Sequence, residues 1–309
     1  MRDREGSWTC RSLIRATAVL LVLSMLVPSV AMAASNPYAG HVVFIRAGNV
    51  WVCKADGKSA KRLTAGGTAS NPRWAANHKD IYFVNSDPAG STVRRIRASG
   101  GAAVTIPVPD PEFGGSAMRH FSAVGPTRDG KYLFVGDTVE LGEFSTVARI
   151  LRYKISSKAA AVVATDTPLT WNHNYGHIDA TSDNKRLVVV RFEGDTSQLL
   201  RYTIATRAWK TLSATGLSGR LSSKDEILMS DWPARTSTSL RRMTLAGKPV
   251  KTLKMLKGLT PAKYWPYEAF GYGPGNTKVL YGRNLVLYTM PRTGGTARRI
   301  ATNAYMADW

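Results

Sequence analysis

The last stretch of the chain, Val279 to Trp309, repeats the first folded stretch, Val42 to Trp74. One reads VLYGRNLVLYTMPRTGGTARRIATNAYMADW and the other VVFIRAGNVWVCKADGKSAKRLTAGGTASNPRW. With two short gaps Asn49-Val50 falls on Asn284-Leu285, Gly57 on Gly294, the basic run Ala60–Leu63 on Ala297–Ile300, and Trp74 on Trp309. Each copy has two β-branched and aromatic runs around a tight polar turn, then a glycine turn and a basic third run, the signal of an antiparallel meander. A recurring meander of this kind specifies a repeat architecture. The chain ends after the opening strand of a further repeat whose remaining strands lie at the N-terminus. Pairing Tyr305–Trp309 with Val42–Arg46 therefore closes a ring.

The same unit recurs between the two ends. Polar turns feed apolar runs at NHKDIYFV (77–84), RDGKYLFV (128–135), SDNKRLVVV (182–190), SKDEILMS (223–230) and GNTKVLY (275–281). With the N-terminal repeat these make six units. The expected fold is all-β: a six-bladed propeller of four-stranded antiparallel blades over residues 34–309. The inner strand, polar turn, apolar strand and closing basic run stand here as NPRWAANHKDIYFV, VGPTRDGKYLFV and KSAKRLT. This pattern resembles the TolB-type propeller repeat. Only Ala34 to Gly40 precede the first strand, so the N-terminal α/β domain of TolB has no counterpart in this sequence.

Ahead of the propeller, Arg2, Arg4, Arg11 and Arg15 precede an apolar run from Ala16 to Val30 and the triplet Ala31-Met32-Ala33. A basic start, a short apolar run and an A-x-A site describe a secretory signal peptide over residues 1–33. The run is shorter than the roughly 20 residues a bilayer demands, and Pro28 interrupts it, so no transmembrane span is expected after cleavage. The mature chain is then secreted or held in the cell envelope. It retains a single cysteine, Cys53, and so forms no internal disulfide.

The net charge of +21 falls to about +19 without the leader. Such a balance favours anionic partners. Several cations, Lys61, Arg62, Arg94, Arg95, Arg97, Arg149, Arg152, Arg241, Arg242, Arg298 and Arg299, are read here as belonging to the last strand of each repeat. Basic residues on an exposed edge also block edge-to-edge aggregation. Export disfavours nucleic acid as the partner.

Three long crossovers, Pro107–His120, Asp166–His177 and Lys257–Phe270, are expected on one face of the ring, where function in scaffold folds concentrates. They carry Phe113, Trp171, Tyr175, Tyr264, Trp265 and Tyr267 beside Arg119, His120, His173, His177, Lys263 and Glu268. Aromatic faces mixed with cations suit a sugar ring or an anionic polymer. The candidate ligand-binding set is Arg119, His120, Trp171, His173, His177, Tyr264, Trp265, Tyr267 and Glu268. Oligogalacturonate lyases, which are similar propeller enzymes, use His-rich metal sites on this face, but no motif here matches theirs residue by residue. No catalytic, metal or cofactor motif is present: Gly216–Arg220 lacks the last glycine of G-x-S-x-G, and there is neither a P-loop nor H-E-x-x-H. The sequence thus favours an exported, monomeric, non-enzymatic binding or scaffold module. Its partner is read as an envelope protein or an anionic polysaccharide or phosphate polymer. A carbohydrate-active lyase or hydrolase is the competing class.

Overall fold

The structure, a computed structural model, describes residues 36–309 except 89, 114–117, 143–144, 167–172, 195, 235–236 and 258–267. Residues 1–33, expected to form a signal peptide, lie outside the described residues. Among the described residues no helix is long and apolar enough to cross a membrane.

Six four-stranded antiparallel sheets form the propeller. Blade 1 is β4 (Ala69–Trp74), β5 (Asp80–Asp87), β6 (Gly90–Arg97) and β7 (Val104–Ile106). Blade 2 is β8 (Met118–Pro126), β9 (Tyr132–Gly142), β10 (Ser145–Lys154) and β11 (Ala159–Asp166). Blade 3 is β12 (His173–Ala180), β13 (Arg186–Glu193), β14 (Thr196–Thr203) and β15 (Ala208–Ser213). Blade 4 is β16 (Gly216–Leu221), β17 (Ile227–Ala234), β18 (Ser237–Met243) and β19 (Pro249–Lys257). Blade 5 is β20 (Glu268–Tyr272), β21 (Lys278–Arg283), β22 (Val286–Pro291) and β23 (Arg298–Thr302). Blade 6 draws on both ends of the chain, in the order β24 (Tyr305–Asp308), β1 (His41–Arg46), β2 (Asn49–Lys54) and β3 (Lys61–Arg62).

The closure read from the end repeat is present. Val43 pairs with Asp308, Phe44 with Ala307 and Ile45 with Tyr305. Trp309 finishes the seal: its indole N–H donates to Gly40 O at 3.1 Å, and its ring lies where a side chain at Gly273 would stand, 2.9 Å from the position of a Cβ there.

Side chains alternate across a strand, and a middle strand buried on both faces must therefore read as a continuous apolar run. Each second strand carries such a run and buries one set of residues against either neighbour. Val42 and Phe44 join Phe270, Leu280 and Leu287 of blade 5, whereas Val43 and Ile45 join Trp74, Ile81 and Phe83 of blade 1. Four further clusters fill the other four blade interfaces. A fully buried Val, Leu, Ile or Phe contributes about 1.5–3 kcal/mol, so the ring rests on packing between blades.

One expectation is corrected. Arg94, Arg95 and Arg97 lie on β6, Arg149 and Arg152 on β10, and Arg241 and Arg242 on β18, all third strands with a partner on either side. The exposed outer strands hold Lys61, Arg62, Lys210, Lys251, Lys257, Arg298 and Arg299. The polar turn marks the start of the second strand, so a run one turn further downstream is third in the blade.

Ala307 is fully buried against blades 5 and 6. Ala307→Asp places an unpaired carboxylate in that core and is expected to destabilise by about 3 kcal/mol or more. Urea unfolding checks this, and a loss below about 1 kcal/mol would contradict it.

Candidate functional site

The three long crossovers run from β7 to β8, from β11 to β12 and from β19 to β20, each delivering an inner strand to the channel. Trp171, Tyr264, Trp265 and Tyr267 lie outside the described residues. His173 opens β12 opposite Glu193, and its side chain also lies outside them. Arg119, His120, His177 and Glu268 are described, and the structure gives them different surroundings.

Arg119 is a fastener of its own loop. It donates to Val108 O at 2.9 Å and to Asp137 at 2.9 Å, with Asp110 3.7 Å away. Beside it Arg149, fully buried, donates to Asp110 at 2.9 Å, Glu112 at 3.0 Å and Asp137 at 2.8 Å, and Phe113 lies under its guanidinium at 5.0 Å. Burial pushes the Asp110 carboxyl up, but hydrogen bonds from Arg149 and from the Phe113 and Glu112 amides outweigh it and hold it at about 2. Two arginines and three carboxylates thus pin residues 108–113 to blade 2. His120 is separate, 2.9 Å from Glu140 with both side chains over 40 % exposed.

His177 and Glu268 sit on the inner strands. Burial, together with the positive charges of Arg220 and Arg73, holds His177 well below the ordinary imidazole value, so the ring is neutral. Its Nδ1 is buried and has no hydrogen-bond partner among the described residues. Burial alone raises the Glu268 carboxyl to about 6. Among the described residues no three His, Cys, Asp or Glu side chains converge as metal ligands would.

The arginines beside His177 belong to a charged layer. Strand register aligns six inner-strand positions: Arg73 opposite Tyr82, Gly125 opposite Phe134, Asp179 opposite Val188, Arg220 opposite Leu228, Gly271 opposite Leu280 and Asp308 opposite Val43. Around the ring they read Arg-Gly-Asp-Arg-Gly-Asp, so residues three blades apart are of the same type. Arg73 lies 2.5 Å from Asp179 and 3.3 Å from Asp308, and Arg220 lies 3.7 Å from Asp179. The Leu221 amide donates to Asp179 at 2.8 Å and the Trp74 amide to Asp308 at 2.9 Å. All four charged residues are less than a tenth exposed. Gly125 is required: a Cβ there would lie 2.2 Å from Ile178 O. Burial alone would depress both arginines. At Arg73 the two carboxylates more than reverse it, whereas Arg220, facing Arg73 with its carboxylate farther off, falls to about 10. Burial raises Asp179, and Arg73 and Arg220 bring it below the ordinary carboxylate range.

The layer stands near the C-terminal ends of the inner strands, whereas the long crossovers enter at their N-terminal ends. The two ends of the channel therefore differ in chemistry. One carries a neutral set of paired charges, the other the loop-borne residues and the Glu268 carboxyl. Sequence reading did not single out Arg73, Asp179, Arg220 or Asp308. The available signal was the residue just before Trp74, Pro126, Ala180, Leu221, Tyr272 and Trp309, the position at which the six inner strands come into register.

This architecture defines the protein as a six-bladed β-propeller. No family model and no curated protein matches the sequence. Among solved structures the chain is similar to TolB from Acinetobacter baumannii, at 15% identity and a TM-score of 0.66 over 89% of this chain and 67% of that one. It is also similar to a chain of a nidogen/laminin complex (15% identity, TM-score 0.59, 82% and 89% covered) and to an oligogalacturonate lyase in complex with manganese (9%, 0.55, 82% and 70%). The propeller is thus TolB-like, and at these identities the likeness concerns the fold.

Two substitutions test the channel. Asp179→Ala leaves Arg73 and Arg220 buried with one carboxylate between them and is expected to cost about 3–5 kcal/mol; a loss under about 1 kcal/mol in urea unfolding would contradict the layer. Glu268 titrates higher folded than unfolded, so its contribution to stability is full below pH 4.5 and is lost as pH rises through 6. Glu268→Gln should therefore be more stable than wild type at pH 8, by on the order of 1–2 kcal/mol, and lose that advantage by pH 4. A difference independent of pH would contradict the assignment.

Proposed function

We propose that this chain is an exported binding or scaffold propeller that engages an envelope protein or an anionic envelope polymer with the face carrying the long crossovers. The carrying observation is an asymmetry in the use of charge. Asp110, Asp137, Asp179, Glu226, Asp231 and Asp308 are committed to arginines within the fold. Glu226 alone receives Arg242 and Arg292 together with the Tyr272 hydroxyl at 2.8 Å. Exposed cations such as Lys58, Lys61, Arg62, Lys158, Lys210, Lys251 and Arg298 face solvent in excess. Because the internal pairs cancel, the chain's excess of cations is carried by its surface, which attracts polyanions.

In this reading residues 1–33 direct export and are removed, and the mature protein acts as a monomer outside the cytoplasm. No cofactor is invoked. The competing reading, a carbohydrate-active lyase or hydrolase, is favoured by one observation: Glu268, held near neutrality in the channel, has the proton affinity a general acid or base requires. Turnover of anionic polysaccharide by wild type but not by Glu268→Gln would establish that reading instead.

The binding reading is tested by salt. Retention of the mature chain on purified anionic cell-wall polymer should fall at least tenfold between about 50 mM and 500 mM NaCl, because exposed ion pairs are screened over a few ångströms at high ionic strength. Retention that ignores salt, or none at low salt, would overturn it.

A further inference from the structure

The six blades do not protect their outer edges alike. Blades 3, 4, 5 and 6 place exposed lysine or arginine on β15, β19, β23 and β3, whereas β7 of blade 1 and β11 of blade 2, which are neighbours in the ring, carry neither. An uncharged edge strand is an open template for another strand. β11 is interrupted by a bulge, which is itself a protective device. β7 has no bulge. Its Val104 side chain is 52% exposed, and it covers only Val93–Arg95 of the eight-residue β6.

Beside this edge, between blades 1 and 2, lies a groove of about 220 Å³. Leu133, Tyr153, Ile155 and Ile106 give it an apolar floor, Arg95 and Lys158 stand at it, and among the described residues no carboxylate lines it. A second hollow of about 470 Å³ begins at the same Thr105–Pro107 segment and continues past Ser91 and Thr92 toward Met118, itself 47% exposed. The groove beside β7 thus joins an apolar floor to two cations, whereas the second hollow is lined by Asp87 as well as Arg119.

We propose that the β7 edge and this groove form a docking site for an extended peptide strand of another protein, one with alternating apolar and acidic side chains, added as a fifth strand of blade 1. Backbone hydrogen bonds to β7 would supply affinity and the alternate side chains specificity, the division of labour usual in strand addition. Charge complementarity selects the occupant. Apolar side chains meet Tyr153 and Ile106, and carboxylates meet Arg95 and Lys158. The site lies on the outer rim and is independent of the loop-bearing face and of the ligand proposed for it.

The test uses the mature chain and a labelled eight-residue peptide alternating valine with glutamate, read by fluorescence anisotropy. The expected result is saturable binding that weakens at least tenfold for the valine–lysine counterpart. It should weaken at least tenfold again in Val104→Glu and Thr105→Glu, which set carboxylates on β7 against those of the peptide. Both positions are exposed, so these variants should keep the wild-type unfolding midpoint. No binding of the acidic peptide, or binding that the two glutamate variants leave unchanged, would overturn the proposal. So would a concentration-dependent dimer in sedimentation that Val104→Glu abolishes, since the edge would then be occupied by a second copy of this chain.

Discussion

The pairing of β24 with β1 is the constraint on which the molecule depends. Every blade is buried on both faces by its neighbours, so no blade is stable as a free edge of the ring, and a gap anywhere would expose two cores. The gap would fall between the ends of the chain, where blades 5, 6 and 1 meet. Phe44 points into one core and Ile45 into the other, while Tyr305–Asp308 supply the strand that carries blade 6 inward to the channel. Three paired residues, one bulge and the Trp309 hydrogen bond join termini more than 260 residues apart.

Closure also completes the charged layer. Asp308 is the sixth of its positions and lies on the closing strand, so the same four residues that seal the ring deliver the second carboxylate to Arg73. A buried charge group of this kind contributes less to stability than to specificity, because its Coulomb gain mostly offsets desolvation. It instead penalises any misregister of an inner strand, since a shift of one residue would leave an arginine or an aspartate buried alone. Every inner strand carries a register shift above the layer, and the layer is where the six come back into step. The bottom turns continue the linkage, with Asn184 donating to Asp129 at 3.1 Å and the Ser182 hydroxyl to Asp225 at 2.8 Å across neighbouring blades.

Most of this fold was legible in the residues. The end repeat specified the closure, and the polar turns located the second strands, because Thr127, Thr181 and Ser222 each satisfy their own turn with a side-chain oxygen. The arginines of the third strands were misplaced for a physical reason. In TVRRIRA and STVARILRYK the charged residues fall on a period that looks solvated, yet Arg149 is fully buried because blade 2 and its crossover provide three carboxylates around it. The channel layer was illegible for a related reason. Arg73, Asp179, Arg220 and Asp308 stand far apart in sequence, and only the six-fold register brings them together. The candidate face was legible as loops, and much of it, including Trp171 and Tyr264–Tyr267, lies outside the described residues.

The closed ring is tested most directly by hydrogen exchange of the amides of Val43, Phe44 and Ile45, compared with those of Val188, Val189 and Val190 in the uninterrupted blade 3. If β24 and β1 form one ladder, the two sets exchange only through the same global opening, with equal slopes against denaturant. Exchange of the β1 amides orders of magnitude faster, at denaturant concentrations where blade 3 stays protected, would show that the ring is open at its ends.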